Sequence, residues 1–449
     1  VNKRSIWNAT SVRFEGNYAN RGGAVYAGQS CKIFFSGSDF TGNAARGEGG
    51  AISLGGSAIL ETHSSNFSAN SSPKGGALST DSSPTVNLFH TLFYRNIAIS
   101  SDKSEAYGGG AALSGESIAR FVSVTFDRNA AADFGGGFVS GGSSWVLLVD
   151  STLVSNVASN AGGILVAAGY IELVRSSLEA NGAWQNGGGF IYDGGVLILN
   201  ETSVTYNEAG MNGAGGFIRL GKNCSAISVD RVNVSGNVAH GGGGGAFFLA
   251  DSETSARCEM FDDCDADYPN NEADYGDSCA SGPKYVRAVR NTLEPPSSGT
   301  PSSYQVSLHD SFGAIVTSSS GSLVSASAVH NVQLSGVTLT AIVRGVATFP
   351  DLAVTSQPGD WANITFEVSA TSPDDPILSV PVSVYLRQCV RGEVQPKGGL
   401  VCFRCLLGYY SLLTDNFKDQ DCKLCPTGGD CAGGDRIKAQ SGYWRSAYD

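Results

Sequence analysis

Phe40-Thr-Gly-Asn43, followed by Gly49-Gly-Ala-Ile52, decides the fold, because the same cassette is written nine times between Phe14 and Ala246. Each copy holds an apolar residue, two spacers and Asn, and then a Gly pair that opens a short apolar run. The apolar and Asn positions are Phe14/Asn17, Phe40/Asn43, Phe67/Asn70, Phe93/Asn96, Phe126/Asn129, Leu153/Asn156, Leu178/Asn181, Val204/Asn207 and Val234/Asn237. The Gly pairs follow at Gly22, Gly49, Gly75, Gly109, Gly136, Gly162, Gly188, Gly215 and Gly244. A tenth, stretched copy ends at Asn271-Glu-Ala273. Successive Asn residues are mostly 25 to 27 apart, and stretches of 33 and 30 read as loop insertions. A fixed period in this range marks a solenoid, in which each unit is one coil that cannot bury its apolar face without neighbours.

The coils are strands. With 59 glycines and apolar runs of only four to six residues, the chain offers no helical period. The position two after each Gly pair is apolar throughout (Val25, Ile52, Leu78, Ala112, Val139, Leu165, Ile191, Ile218, Phe247) and is expected to face the core. The next position is mixed (Tyr26, Ser53, Ser79, Leu113, Ser140, Val166, Tyr192, Arg219, Phe248) and is expected to face outward. A further strand precedes each Asn, as in Val146 to Val149. The Asn is expected at a left-handed bend, stacking into an amide ladder along the axis. The Gly pairs supply the positive φ angles of another corner. The reading is an all-β chain opening with a right-handed parallel β-helix of about ten coils, roughly 45 to 50 Å long at ~4.8 Å per coil.

The paired F-x-x-N and G-G-A-[IVL] signatures resemble the repeats of bacterial polymorphic outer membrane proteins and of related surface proteins in algae and other protists. The resemblance covers about 60% of the chain and implies a surface or adhesive role. The bacterial relatives carry a transmembrane β-barrel, and no alternating barrel strands close this chain.

Composition points to a secreted setting. The net charge is -12 and Lys+Arg number only 29, which disfavours nucleic acid and anionic membranes as partners. No apolar run is long enough to span a bilayer. The chain is expected to be the ordered part of a longer precursor. Seven N-x-[ST] sequons and eleven cysteines favour an oxidising secretory route. Candidate glycosylation sites are Asn8, Asn66, Asn200, Asn223, Asn233 and Asn363; the seventh sequon, at Asn70, falls on the ladder, where its amide is expected to be buried.

Residues 1–282 form the β-helix. In 283–388 a Pro- and Ser-rich stretch, Pro295 to Ser303, reads as a linker, and from Tyr304 to Leu386 six or seven alternating strands read as a β-sandwich. The set Val306, Leu308, Asp310 and Gly313, with Gly345 to Leu352 and Pro358-Gly, resembles bacterial Ig-like domains of invasin type, which implies a spacer. Residues 389–449 carry Cys389, Cys402, Cys405, Cys422, Cys425 and Cys431. Their inner four have the spacing of a zinc site, but the flanking pair and the secretory signals favour disulfides. The pieces C-x-x-G-Y-Y and C-P-x-G-x-x-C are similar to EGF-like and TNF-receptor-like modules. Six cysteines allow 15 connectivities, so the pairing stays open. Cys224, Cys258, Cys264 and Cys279 are expected to form two bridges bracing the end of the solenoid. Cys31 is then either a buried stacking residue or bonded outside this chain.

Ten carboxylates lie between Asp251 and Asp277, among them Asp262, Asp263, Asp265 and Asp267. They read either as a weak Ca2+ site, the one cofactor the sequence offers, or as a solvated acidic loop. The five histidines are scattered and read as surface or loop residues. A polysaccharide lyase or hydrolase on a β-helix needs paired carboxylates, or a metal with a base, on one outward row. The outward row above holds only Arg219, with Asp193 nearby. The expectation is therefore a non-enzymatic extracellular glycoprotein, structural or adhesive, in a protist coat or flagellar-hair-like fibre. Its expected partners are further copies of itself or other surface glycoproteins. A glycan-binding module using Tyr26, Tyr192, Trp145 or Trp184 is the second reading, and the polysaccharide enzyme the third.

Overall fold

The computed structural model describes residues 4–101, 104–219, 226–250, 261, 264–329, 331–369, 377–415 and 417–444. The chain divides into two units: Val1–Pro283 with Asp310–Ser318, and Lys284–His309 with Ser319–Asp449. The first is a parallel β-solenoid of four sheets. Its first and second sheets have nine strands each, its third and fourth ten, and successive coils pair in parallel throughout. In coil 6, for example, the four strands are Trp145–Val149, Thr152–Val154, Val157–Ala158 and Ile164–Val166. A partial tenth coil, Glu272–Tyr275 and Cys279–Ser281, closes the series.

Two repeated columns hold the coils in register. The Phe of each cassette points inward from the second sheet, and Phe14, Phe40, Phe67, Phe93 and Phe126 stack at 4.6–4.8 Å between ring centroids. The ten Asn side chains form one continuous ladder from Asn17 to Asn271. Each amide nitrogen donates to the Oδ1 of the next coil's Asn, as Asn96 does to Asn129 at 2.9 Å. The backbone N–H of Asn96 donates to the same oxygen at 3.0 Å. The left-handed residue is not the Asn but the one before it: Ala69, Arg95, Arg128, Ser155, Ala180 and Tyr206 all have φ between 52° and 56°. The reason is that the Asn must turn its amide inward, and the bend is made by its neighbour.

The fourth sheet corrects the expected register. In coils 1 to 3 the expected inward row, Val25, Ile52 and Leu78, is inward. In coils 4 to 7 the inward residues are Ala111, Phe138, Ile164 and Phe190, each paired in line with Leu78 above. Ala112, Val139, Leu165 and Ile191 therefore face outward, and Leu113, Ser140, Val166 and Tyr192 face inward. The cause is that the left-handed corner residue stands one place before the Gly pair that the sequence suggests: Gly108, Gly135 and Gly187 as the first of a glycine triplet, and Ala161 in coil 6. A slip of one residue exchanges the two faces of a strand.

The outward row of this sheet is nevertheless buried, with Val139, Ile191, Phe217 and Phe248 at 6–7% exposure. Its later members pack with Ala314 and Val316 of the Asp310–Ser318 segment. Asp310 ties that segment down: its carboxylate accepts N–H groups of Ser281 at 3.0 Å, Phe312 at 3.0 Å and Ala314 at 2.9 Å. Burial pushes its pKa up, against those hydrogen bonds. Cys264 and Cys279 are bonded at the same end, and Cys31 is fully buried in the solenoid core.

The second unit holds two four-stranded antiparallel sheets. One runs Tyr285–Arg290, Pro301–His309, Val346–Thr355, Gln333–Ser335; the other runs Leu339–Ala341, Leu323–Ala328, Trp361–Val368, Leu378–Tyr385. They enclose a core around Tyr304, Phe349 and Phe366. The stretch expected as a linker joins two strands of one sheet, and its Ser298 is buried and donates to Ser356 O at 2.7 Å. His309, expected at the surface, is 7% exposed, with its ring stacked on Tyr285 and its Nε2 2.8 Å from Ser307 Oγ. Beyond the sandwich, three disulfides, Cys389–Cys402, Cys405–Cys422 and Cys425–Cys431, hold three two-stranded ribbons.

Candidate functional site

The first sheet of the solenoid presents three outward rows, and from coil 4 to coil 8 they are largely apolar. Ile118, Trp145, Tyr170 and Val196 align along one edge; Arg120, Leu147, Glu172 and Ile198 along the centre; Phe89, Val122, Val149 and Val174 along the other edge. The inward residues of the same strands, such as Val146, Leu148, Ile171 and Leu173, are fully buried. Trp-Val-Leu-Leu-Val, residues 145–149, is thus apolar on both faces, the composition of a strand that is covered on both sides. Here the outer side is open: Ile118 is 51% and Trp145 38% exposed. Trp145 and Tyr170 stack at 5.8 Å with planes 7° apart. The Tyr170 hydroxyl donates to Glu172 at 2.9 Å, and burial together with that carboxylate raises its pKa.

A line of charge borders this face. The corner between the first and second sheets uses a left-handed residue in each coil, and in coils 6 to 9 these are Asp150, Arg175, Glu201 and Arg231. The signs alternate, so the side chains pair along the axis: Arg175 clasps Asp150 at 2.8 and 3.1 Å, and Arg231 meets Glu201 at 2.5 Å. The Arg175 guanidinium holds the Asp150 carboxyl below its usual range. These pairs are largely exposed and contribute little stability each. Asp193 and Arg219 pair likewise at 2.9 Å on the fourth side. Each of these carboxylates stands beside a guanidinium rather than beside a second carboxylate, an arrangement suited to register and not to general acid–base work.

The aromatic residues proposed as sugar platforms do not come together. Tyr26 lies in coil 1 of the fourth sheet under the Arg21 guanidinium, 5.1 Å from its ring centroid. Trp184 is 81% exposed on the connection after the third sheet of coil 7. Tyr192 is corrected: it is an inward residue, 4% exposed, donating to Gly195 O at 2.7 Å. A separate cleft of about 620 Å³ lies in the cysteine-rich region between Tyr410, Pro426, Gly428, Tyr443 and Trp444.

Of the sequons, Asn8, Asn66, Asn233 and Asn363 are exposed and Asn200 is half-buried. Asn70 is fully buried in the ladder. Asn223, Cys224, Cys258, Asp262, Asp263 and the Asp265 side chain lie outside the described residues. Asp267 is exposed at the end of the short helix Cys264–Asp267. Among the described residues the ligating side chains within 4.8 Å of one another are Cys389, Glu393 and Cys402. Two of these three share a disulfide, and Glu393 is engaged by Arg387 at 2.9 and 3.0 Å, so the group fits a structural brace better than a metal.

Comparisons with protein-family models, with curated proteins and with solved structures give no match. Among the described residues, no helix is long and apolar enough to cross a membrane.

Proposed function

We propose that this chain is a non-enzymatic extracellular glycoprotein with a structural or adhesive role, a building block of a protist surface coat or flagellar-hair-like fibre. The observation that carries the reading is the open, apolar outward face of the first sheet. Contiguous apolar surface of this kind on a soluble scaffold marks an interaction site. The scaffold beneath it suits mechanical work: the Asn ladder ties every coil to the next, and the Phe column joins coils 1 to 5. The disulfides and sequons fit an oxidising, secretory setting.

Electron cryo-microscopy of the protein from its native source, kept with whatever it adheres to, tests the reading. Regular contacts between solenoids in a filament or coat are expected. Isolated monomers with no bound neighbour overturn it and favour the glycan-binding reading, which an array of surface polysaccharides then addresses.

A further inference from the structure

We infer that the outward face of the first sheet is a homotypic interface, on which a second copy of this chain packs antiparallel about a two-fold axis through Leu147. The inference rests on the structural reading above and names its partner. Its basis is the central row, where Arg120 in coil 5, Leu147 in coil 6 and Glu172 in coil 7 lie in line. At ~4.8 Å per coil their backbones stand roughly 10 Å apart with Leu147 between them, and no ion pair joins them: the Glu172 carboxylate accepts from the Tyr170 hydroxyl instead. They flank an apolar centre, and an unpaired charge pressed under a foreign apolar surface is costly.

Two symmetric ways of laying this face on itself keep the strands of both copies aligned. With the two-fold axis along the solenoid, each coil meets its own copy, and Arg120 faces Arg120 while Glu172 faces Glu172. Like charges directly opposite one another are destabilising. With the axis along the strands at coil 6, coil 5 meets coil 7. Arg120 then faces the second copy's Glu172 twice, and Leu147 meets its own copy at the centre. On the edge rows Trp145 and Val149 likewise meet themselves. Packed sheets lie ~10 Å apart, a gap that a long Arg and a Glu side chain span between them. In this register Asn200, on the edge row of coil 8, faces Phe89 of coil 4, so the contact is confined to coils 5 to 7, a flat area of roughly 250 Å² on each copy. The solenoid's described sequons on the first two sheets, Asn8, Asn66, Asn200 and Asn233, fall in coils 1, 3, 8 and 9; Asn200 stands on the edge row of this face and bounds the contact, and coils 5 to 7 carry none.

Cysteine cross-linking of the full chain tests the register. With a short bifunctional thiol reagent that bridges the gap between packed sheets, Leu147→Cys is expected to give a covalent dimer, and Arg120→Cys none alone, whereas an equimolar mixture of Arg120→Cys and Glu172→Cys cross-links. Sedimentation velocity supplies the second measurement: Arg120→Glu is expected to weaken the dimer about tenfold or more, and the Arg120→Glu/Glu172→Arg exchange to restore it. Circular dichroism checks that each variant is folded. Self-linking of Arg120→Cys in preference to Leu147→Cys, or failure of the exchange to restore the dimer, overturns the antiparallel register. Wild-type chains that stay monomeric in sedimentation while the native material still forms a coat or filament overturn self-pairing on this face and leave the structural reading standing. Loss of both defeats the two together.

Discussion

Asn129 shows what one residue contributes to a solenoid. Its amide nitrogen donates to Asn156 Oδ1 at 3.0 Å and to Phe93 O at 3.0 Å, while its own Oδ1 accepts the side-chain and backbone N–H groups of Asn96 at 2.9 and 3.0 Å. Every donor and acceptor of a fully buried polar group is thereby used. Asn129→Ala removes the side chain and strands the Asn96 donors and the Phe93 carbonyl away from water. At about 1–3 kcal/mol for each group left unsatisfied, the variant is expected to lose roughly 3–5 kcal/mol in chemical denaturation. Asn17, exposed, donates to Asn43 and, among the described residues, accepts from no other Asn of the ladder. Asn17→Ala is therefore expected to cost no more than about 1 kcal/mol. Equal losses at the two positions would show that the ladder stabilises by packing and not by hydrogen-bond satisfaction.

At the scale of the strand and corner, glycine decides what is possible. A Cβ on Gly109 would stand 2.3 Å from Gly136 O and 2.4 Å from Ala130 O, both backbone atoms of the next coil. Gly109→Ala must push two coils apart and is expected to cost at least ~3 kcal/mol, or to abolish secretion of the folded chain. Ala161 occupies the neighbouring left-handed corner position, φ 56°, where other coils have glycine. Ala161→Gly relieves about 1 kcal/mol of backbone strain but loses a buried methyl of similar worth, so its midpoint is expected to move by less than about 1 kcal/mol. These corners also mark how far the sequence can be read. The coil, the Phe column and the amide ladder follow from the spacing of Phe, Asn and Gly, since only a solenoid repeats them at 26 residues. The fourth sheet's register does not, because three glycines in a row offer two places for one corner. The first sheet's outward face escapes a reading based on alternation, for Trp145 to Val149 carries no polar row to mark it. The packing of Val316 against Phe217 and Phe248 joins residues some 70 to 100 positions apart, with no local pattern to announce it.

Across the whole molecule, stability should follow position along the solenoid. A coil gains from each neighbour, so the last coil of a one-dimensional stack is only as stable as whatever covers it. At the C-terminal end Phe261, Tyr268 and Cys279 are buried against Phe247, and the depth of that seal pushes the Tyr268 hydroxyl up to about 12. The disulfide Cys264–Cys279 closes a loop of 15 residues there, worth about 3 kcal/mol by loop entropy. Amide hydrogen exchange read peptide by peptide is therefore expected to be as slow in coil 9 as in coils 3 to 5. A Cys264→Ser/Cys279→Ser variant should speed exchange in coils 8 and 9 while leaving coils 3 to 5 unchanged. If coil 9 of the wild-type chain exchanges much faster than coils 3 to 5, the C-terminal seal contributes nothing. If the variant loses protection through every coil at once, the solenoid unfolds as one cooperative unit rather than as a stack of neighbours.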